Sequence, residues 1–141
     1  MRPFIEGSLD QSILSWGGDL ALEMENGLSV LADREKLHRV MVNGTKNAIE
    51  AMGDTGLLRI SARPQGRQVT VEVEDSGPGI QVEEIPRLFS PFHTTKTDGT
   101  GLGLAYSKKL VEGMGGDIKL ANRKGAKGAV LTIRLARGLK P

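Results

Sequence analysis

Three glycines at alternate positions, Gly99, Gly101 and Gly103, precede a segment with helical character at residues 104–112. Glycine permits positive φ and a close approach of the main chain to a ligand, and the first amides of a helix lack intrahelical partners. Such a turn can bind phosphate groups, aided by the helix dipole. A flexible loop without a ligand explains the pattern equally well. The stretch matches neither the P-loop nor the dinucleotide fingerprint.

A second glycine motif, DSGPGI at residues 75–80, follows an alternating strand. Asp75 stands where the strand stops, so its carboxylate can project from a rigid element while Gly77 and Gly79 bring the backbone close to a bound group. A carboxylate only accepts hydrogen bonds, which suits an exocyclic amine such as that of adenine. The alternative is a plain turn, in which Asp75 and Ser76 bond their own backbone and Pro78 sets φ.

A pair of asparagines, Asn43 and Asn47, lies four residues apart in VNGTKNAIEAM. Helical spacing puts them side by side along the edge of an apolar stripe. An amide oxygen is a neutral ligand that Mg²⁺ accepts when phosphates and waters complete its octahedral shell. Asparagines at a helix edge can equally be solvated or bonded to backbone.

These residues need elements to position them, and the best-defined element is a helix. Asp33 is in the place of an N-cap and Gly53 ends the segment. Apolar or small residues follow one helical stripe: Leu37, Val40, Met41, Gly44, Ala48, Ala51 and Met52.

Alternating runs predict two hairpins. Strands at 57–62 and 68–74 flank the turn-rich RPQGR, and strands at 117–121 and 129–135 flank NRKGAKG. A short helix at 8–15 and a strand at 19–24 are also predicted, and residues 93–101 are expected to form a mobile loop. The fold class predicted is α+β: a two-layer sandwich whose mixed, mostly antiparallel sheet has helices on one face and water on the other.

Composition sets the broad class. The chain has 141 residues, the size of a single domain, and no cysteine, which fits a reducing compartment. It has neither a signal-like apolar segment nor a long apolar run, so a cytoplasmic location is expected. A net charge of +2 and 4% aromatic residues argue against nucleic acid as a partner.

In this order the three motifs resemble the N, G1 and G2 boxes of the GHKL superfamily, and RLFSPFHTTK resembles the F box and the start of an ATP lid. The resemblance covers residues 28–135 and is to the catalytic, ATP-binding domain of two-component histidine kinases, of the kind that carries PFxTTKxxGTGLGL. It implies the Bergerat sandwich, one domain over 1–141, and a junction at 1–18 to an absent dimerisation domain. The isolated domain is expected to be monomeric.

The resemblance assigns roles to individual positions. Asn47 would hold Mg²⁺ between the phosphates with Asn43 as its companion, and Asp75 would recognise the adenine amine. Phe89 and Phe92 would anchor the lid, although simple core filling is compatible with that role. The positions matched to contacts with ATP are Asn43, Asn47, Asp75, Gly77, Gly79, Ile80, Phe92, Thr94, Thr95, Lys96, Gly99, Thr100, Gly101, Leu102, Gly103 and Leu104. Lys96 would lie in the lid, where a cation near the terminal phosphate would help catalysis, and Arg87 could act similarly. Both could equally be ordinary solvent-exposed side chains.

The residue at position 43 distinguishes ATP-hydrolysing members of the superfamily from the others. The hydrolysing members usually carry a glutamate there to activate water, whereas this chain has Asn43. Asparagine cannot take a proton at neutral pH, so the site is expected to bind ATP and hydrolyse it poorly. The resemblance then implies transfer of the γ-phosphoryl group to a histidine on a separate dimerisation domain, and indirectly to a response regulator. Neither His38 nor His93 matches the acceptor motif.

Two alternatives remain open at the level of sequence: a protein-serine kinase of the anti-sigma type, and a non-catalytic interaction module with the same fold. Two departures from the family pattern also stand out. Gly44 and Thr45 replace the usual leucines, which would loosen helix packing by about 1 kcal/mol for the glycine. Glu50 occupies a position that is a basic phosphate contact in some relatives.

Overall fold

A computed structural model describes residues 2–8, 15–25, 27–90 and 103–138. The helices and strands are, in chain order, α1 (Arg2–Gly7), β1 (Asp19–Met24), α2 (Arg34–Met52), β2 (Leu57–Gln65), β3 (Gln68–Asp75), a 3-10 helix (Val82–Arg87), α3 (Gly103–Gly113), β4 (Asp117–Asn122) and β5 (Ala129–Ala136). The predicted strand at 19–24, both hairpins and the helices after Asp33 and at 104–112 are confirmed to within a few residues.

The five strands form one sheet in the order β1-β2-β3-β5-β4. Only β1 and β2 are parallel, as expected for strands joined through a helix, and the other neighbours are antiparallel. The α+β prediction of a mixed, mostly antiparallel sheet is therefore confirmed.

Alternation along the central strands separates a buried face of the sheet from a polar one. Val69, Val71 and Val73 on β3 are buried and pair with buried residues of β5, as in the pair Val71 and Ile133. Glu74, which follows Val73 and points to the opposite side of the sheet, pairs with Arg59 of β2, whose guanidinium lies 3.3 Å from the Glu74 carboxylate. Since side chains alternate across a strand, the apolar face packs on α2 while the charged face meets solvent.

Helix α2 has the boundaries that its capping residues predict. The Asp33 side chain accepts a hydrogen bond from the Lys36 amide at 3.0 Å, and Gly53 ends the helix with φ of 78°. The predicted apolar stripe is buried from Leu37 to Ala48. Ala51 is exposed, because the last turn of the helix borders a cleft instead of the core.

Strand β2 extends three residues beyond its predicted end, so the RPQGR turn shrinks to Gly66 and Arg67. Pro64 is tolerated inside the strand because the parallel partner β1 ends at Met24, which pairs with Ala62. Gly66 adopts a φ of 64°, as a tight hairpin requires.

The N-terminal helix α1 was not predicted. Its Ile5 is fully buried in the core, while Ser8 follows the helix in a turn. The predicted helix at 8–15 lies outside the described residues apart from its two ends, which are turn residues. Across the described part of the chain, no helix is both long and apolar enough to cross a bilayer.

Candidate nucleotide-binding site

A cleft opens between the last turns of α2, the start of α3 and the ends of β3, β4 and β5. It is lined by Gly44, Asn47, Ala48, Ala51, Val73, Asp75, Gly79, Ile80, Leu104, Leu120, Ala129 and Leu131. Five residues named from the sequence, Asn47, Asp75, Gly79, Ile80 and Leu104, therefore meet in one cavity. Its chemistry is mainly apolar, with a carboxylate and an amide as the side chains that can give specificity.

Asp75 is the carboxylate of this cleft and is only 7% exposed. Its Oδ1 accepts hydrogen bonds from the amides of Gly77 at 2.9 Å and Ala129 at 3.4 Å. Burial raises the pKa of the Asp75 carboxyl above its ordinary value, while these two hydrogen bonds and the nearby Arg123 oppose the shift. The bond to Gly77 is the one that a plain turn predicts, so the turn and the cleft-lining role coexist.

The plain-turn alternative has the Ser76 side chain bonding the backbone of its own turn, but its partner lies elsewhere. The Ser76 Oγ accepts a hydrogen bond from the Leu57 amide at 2.9 Å and so joins the start of β2 to the end of β3. Gly77 is needed next, because a β-carbon there would lie 3.0 Å from Asp75 Oδ1. The glycine thus lets the turn close over the carboxylate.

The other end of the same turn is held by Asn122, which the sequence did not point to. Asn122 Oδ1 accepts a hydrogen bond from the Ile80 amide at 2.7 Å, and its Nδ2 donates to the Ile80 carbonyl at 2.8 Å. Gly79 has a φ of 85°, and a β-carbon on it would lie 2.9 Å from Asn122 Oδ1. No spacing signal could reveal this contact, since it joins residues 42 positions apart.

The two asparagines of α2 are placed differently. Asn47 lines the cleft, whereas Asn43 is half-buried one turn earlier and is not among the lining residues. Gly44 lies between them and is buried, so close to Leu131 that a β-carbon would stand 2.9 Å from its Cδ2. Gly44 therefore lets the helix lie close to β5. Thr45 is buried and bonds the Met41 carbonyl at 2.9 Å.

The start of α3 contributes the remaining described residues. The helix begins at Gly103, and Leu104 lines the cleft. Phe89 packs against the core, with Lys108 Nζ 5.8 Å from its ring centre, and Arg87 is exposed in the 3-10 helix. The following predicted site residues lie outside the described ones: Phe92, Thr94, Thr95, Lys96, Gly99, Thr100, Gly101 and Leu102. The loop predicted at 93–101 and His93 lie outside them too.

His38 belongs to a separate groove, between α1 and the first turns of α2. Its Nδ1 is 3.0 Å from Ser8 Oγ, and that hydroxyl lies 3.1 Å from the Phe4 carbonyl. This places His38 away from the residues that line the cleft.

Comparison with known proteins agrees with the fold. Residues 32–138 match the family described as histidine kinase-, DNA gyrase B-, and HSP90-like ATPase. The chain belongs to this family. It is 41% identical over 106 residues to the sensor histidine kinase ZraS of Escherichia coli K12, a match that covers 75% of this chain and 23% of ZraS. The chain thus spans about a quarter of the length of such curated relatives.

Solved structures give the same result. The catalytic domain of histidine kinase ThkA is 35% identical with a TM-score of 0.86, covering 97% of this chain and 92% of that one. ThkA in complex with the response regulator TrrA aligns with 31% identity and a TM-score of 0.82, over 98% of this chain and 40% of that one. Full-length ShkA in complex with AMPPNP aligns with 26% identity and a TM-score of 0.79, over 99% and 30%. The architecture is that of a histidine kinase ATP-binding catalytic domain.

Proposed function

We propose that this domain binds ATP with Mg²⁺ in the cleft and donates the γ-phosphoryl group to a histidine on a separate acceptor domain, with a response regulator as the later recipient. The observation that carries the proposal is the meeting of the Asp75 carboxylate, the Asn47 amide and the first residues of α3 in one cavity. The AMPPNP complex of ShkA and the ThkA complex with TrrA support the ligand and the pathway. A cytoplasmic location is part of the same proposal.

The base would occupy the apolar half of the cleft. Asp75 presents an acceptor there beside Ile80, Leu131 and Val73, and adenine offers an amine donor on a flat ring that apolar side chains can cover. Oδ1 already accepts two backbone amides. We infer that Oδ2 is the oxygen that receives the amine. A base with an oxo group in that position would put an acceptor against an acceptor, so the site would select adenine over guanine.

The phosphates would extend toward Asn47 and the N-terminus of α3. Mg²⁺ prefers oxygen ligands and keeps several waters beside substrate phosphates, so one neutral amide oxygen from Asn47 fits its donor set. When bound, the ion would neutralise charge on the phosphates. Gly103 opens a helix whose first amides lack intrahelical partners, which favours an anion at that end. Lys96, together with the predicted glycine turn at 99–103, would complete the phosphate half.

Asn43 makes transfer to a protein acceptor more favourable than hydrolysis. It stands one turn before Asn47, where a carboxylate could act as a base on water, but an amide cannot take that proton. Phosphoryl transfer depends chiefly on position and charge neutralisation. The site would therefore preserve ATP until an imidazole approaches the γ-phosphorus, attacks through its nitrogen and releases ADP.

Thermal unfolding with and without nucleotide tests the binding step. Mg²⁺-ATP or AMPPNP should raise the Tm of the chain, because a ligand that binds only the folded state stabilises it. GTP should give a smaller shift, and EDTA should reduce the shift from ATP. No shift at millimolar nucleotide would favour a non-catalytic module.

The acceptor step is tested by adding a separately expressed dimerisation domain from a related histidine kinase together with radiolabelled ATP. Label that transfers and is lost in acid but kept in alkali indicates phosphohistidine. Acid-stable label would instead indicate a protein-serine kinase.

A further inference from the structure

Asn122 is the last residue of β4, and its side chain bonds a segment that belongs to no strand. The side-chain Oδ1 of Asn122 accepts a hydrogen bond from the Ile80 N–H at 2.7 Å, and its Nδ2 donates one to the Ile80 carbonyl at 2.8 Å. A neighbouring strand would satisfy a residue with the same pair of bonds. The Asn122 side chain thus takes the place of strand pairing for the backbone at Ile80.

The fit between Asn122 and the segment depends on Gly79. A β-carbon on Gly79 would lie 2.9 Å from Asn122 Oδ1, and its φ of 85° is one that other residues rarely adopt. The side-chain amide fills the space that the missing β-carbon leaves. This close contact orients Ile80, which lines the cleft.

Residues 75–80 are held at both ends by one pair of the β4–β5 hairpin. Asn122 pairs with Ala129 in the register of the two strands. Asn122 bonds Ile80, and the Ala129 amide lies 3.4 Å from Asp75 Oδ1. The hairpin therefore sets the spacing between the carboxylate and Ile80, the two features that would face the base.

We propose that Asn122 is a positioning residue for nucleotide binding: its two bonds to Ile80 fix the apolar side of the base pocket relative to Asp75. This inference rests on the proposed function. In this proposal Ile80 faces the base and not the phosphates. Loss of the Asn122 side-chain amide should therefore weaken the binding of ATP and the binding of ADP by the same factor. A residue that acts on the phosphate half should change the two affinities unequally.

The test compares Asn122→Ala and Asn122→Asp with the unaltered chain and with Asp117→Ala. Asp117 lies at the opposite end of β4, 3.5 Å from Arg134, and is a matched control for general damage to the hairpin. Dissociation constants for Mg²⁺-ATP and Mg²⁺-ADP would be measured by calorimetry. We expect Asn122→Ala to raise both dissociation constants by about tenfold, the effect of leaving partly buried backbone groups without hydrogen-bond partners. Asp117→Ala should leave both within about twofold.

Asn122→Asp separates the two hydrogen bonds, since a carboxylate can still accept from the Ile80 amide but cannot donate to its carbonyl. The Asn122→Asp variant should also weaken the binding of ATP and ADP equally. It keeps the proposal testable if the alanine variant does not fold. Amide exchange measured by NMR gives a readout without nucleotide. The Ile80 amide should lose protection in Asn122→Ala, while that of Val71 in the central strand keeps it.

Failure of the role proposed for Asn122 can be distinguished from failure of the proposed function. If the unaltered chain binds ATP while both Asn122 variants bind it equally well, the role of Asn122 is wrong and the proposed function stands. If the unaltered chain binds no ATP, the proposed function is wrong, and the inference falls with it. A change in the ratio of the ATP and ADP constants would also overturn the positioning role.

Discussion

Gly128 lies so close to the backbone of Asp75 that a β-carbon on it would stand 1.9 Å from the Asp75 carbonyl oxygen. The glycine precedes β5 and has a φ of 125°. It therefore lets the β4–β5 connection approach the end of β3. The Ala129 amide, next in the chain, reaches Asp75 Oδ1 because of this approach.

Gly128→Ala should accordingly destabilise the domain by about 3 kcal/mol, because backbone must move and the φ is strained. Gly125→Ala is the matched control: Gly125 has a φ of 71° in the same connection, but among the described residues no atom beyond its immediate chain neighbours lies within 4 Å of the added carbon. It should cost about 1 kcal/mol from strain alone. Urea denaturation measures both, and equal losses would contradict the contact with Asp75.

Asp75→Asn should weaken Mg²⁺-ATP binding by roughly 10- to 100-fold, the usual effect of replacing a charge-assisted hydrogen bond. Asparagine keeps an oxygen for the Gly77 and Ala129 amides, so the turn should survive. Calorimetry checks the affinity. Glu72→Gln, a change on the polar face of the sheet, is the control, and an unchanged affinity in Asp75→Asn would remove Asp75 from the site.

The stability of the parent relative to Asp75→Asn should depend on pH. The folded Asp75 holds its proton more tightly than the unfolded chain, whose carboxyl has the usual pKa of 3.8. The stability linked to that proton is fully present below 3.8 and is lost as the pH rises through the raised folded value. Between about pH 4 and pH 7, the nucleotide-free parent should therefore lose stability relative to Asp75→Asn. Urea denaturation along this range checks it, and parallel curves would show that burial does not perturb Asp75.

Asn47→Ala should weaken ATP binding by about tenfold in the presence of Mg²⁺, through loss of a metal ligand. Without the ion, parent and variant should bind alike, since Asn47 is assigned to the metal and not to the base. Titrations with Mg²⁺ and with EDTA measure the difference. Lys36→Ala, at an exposed position of the same helix, is the control, and an equal loss with and without Mg²⁺ would contradict the role as a ligand.

Gly44→Ala should not gain the stability of about 1 kcal/mol that replacing a mid-helix glycine often provides. The new carbon would lie 2.9 Å from Leu131 Cδ2, so the helix preference is offset by crowding. Leu131→Val removes part of the crowded side chain. A double-mutant cycle measured by urea denaturation should give a favourable coupling of about 0.5 kcal/mol or more. Additive effects would show that the two residues do not crowd each other.

Local patterns were sufficient for most of the fold. Asp33 and Gly53 mark the ends of α2 because capping depends on residues adjacent in sequence. The alternation of Val69, Val71 and Val73 predicted β3 because one side of the strand is buried. Helix α1 was missed because it is short and its burial at Ile5 comes from packing, not from a repeating pattern.

The cleft was predictable only in part. Asp75 and Asn47 follow recognisable motifs, and both line the cavity. Asn122 could not be found in the same way, because its bonds to Ile80 link distant parts of the chain. Helix preference alone also gave no sign of the contact between Gly44 and Leu131, because that contact comes from the sheet.

The register of β4 and β5 pairs Asn122 with Ala129. A slip of β4 along β5 by a single residue would carry Asn122 away from Ile80 and leave the Ala129 amide with a different cross-strand neighbour. It would also turn Ile118 and Leu120 toward the wrong side of the sheet. The register of this hairpin therefore decides both the sheet face that β4 buries and the position of Asn122 beside Ile80.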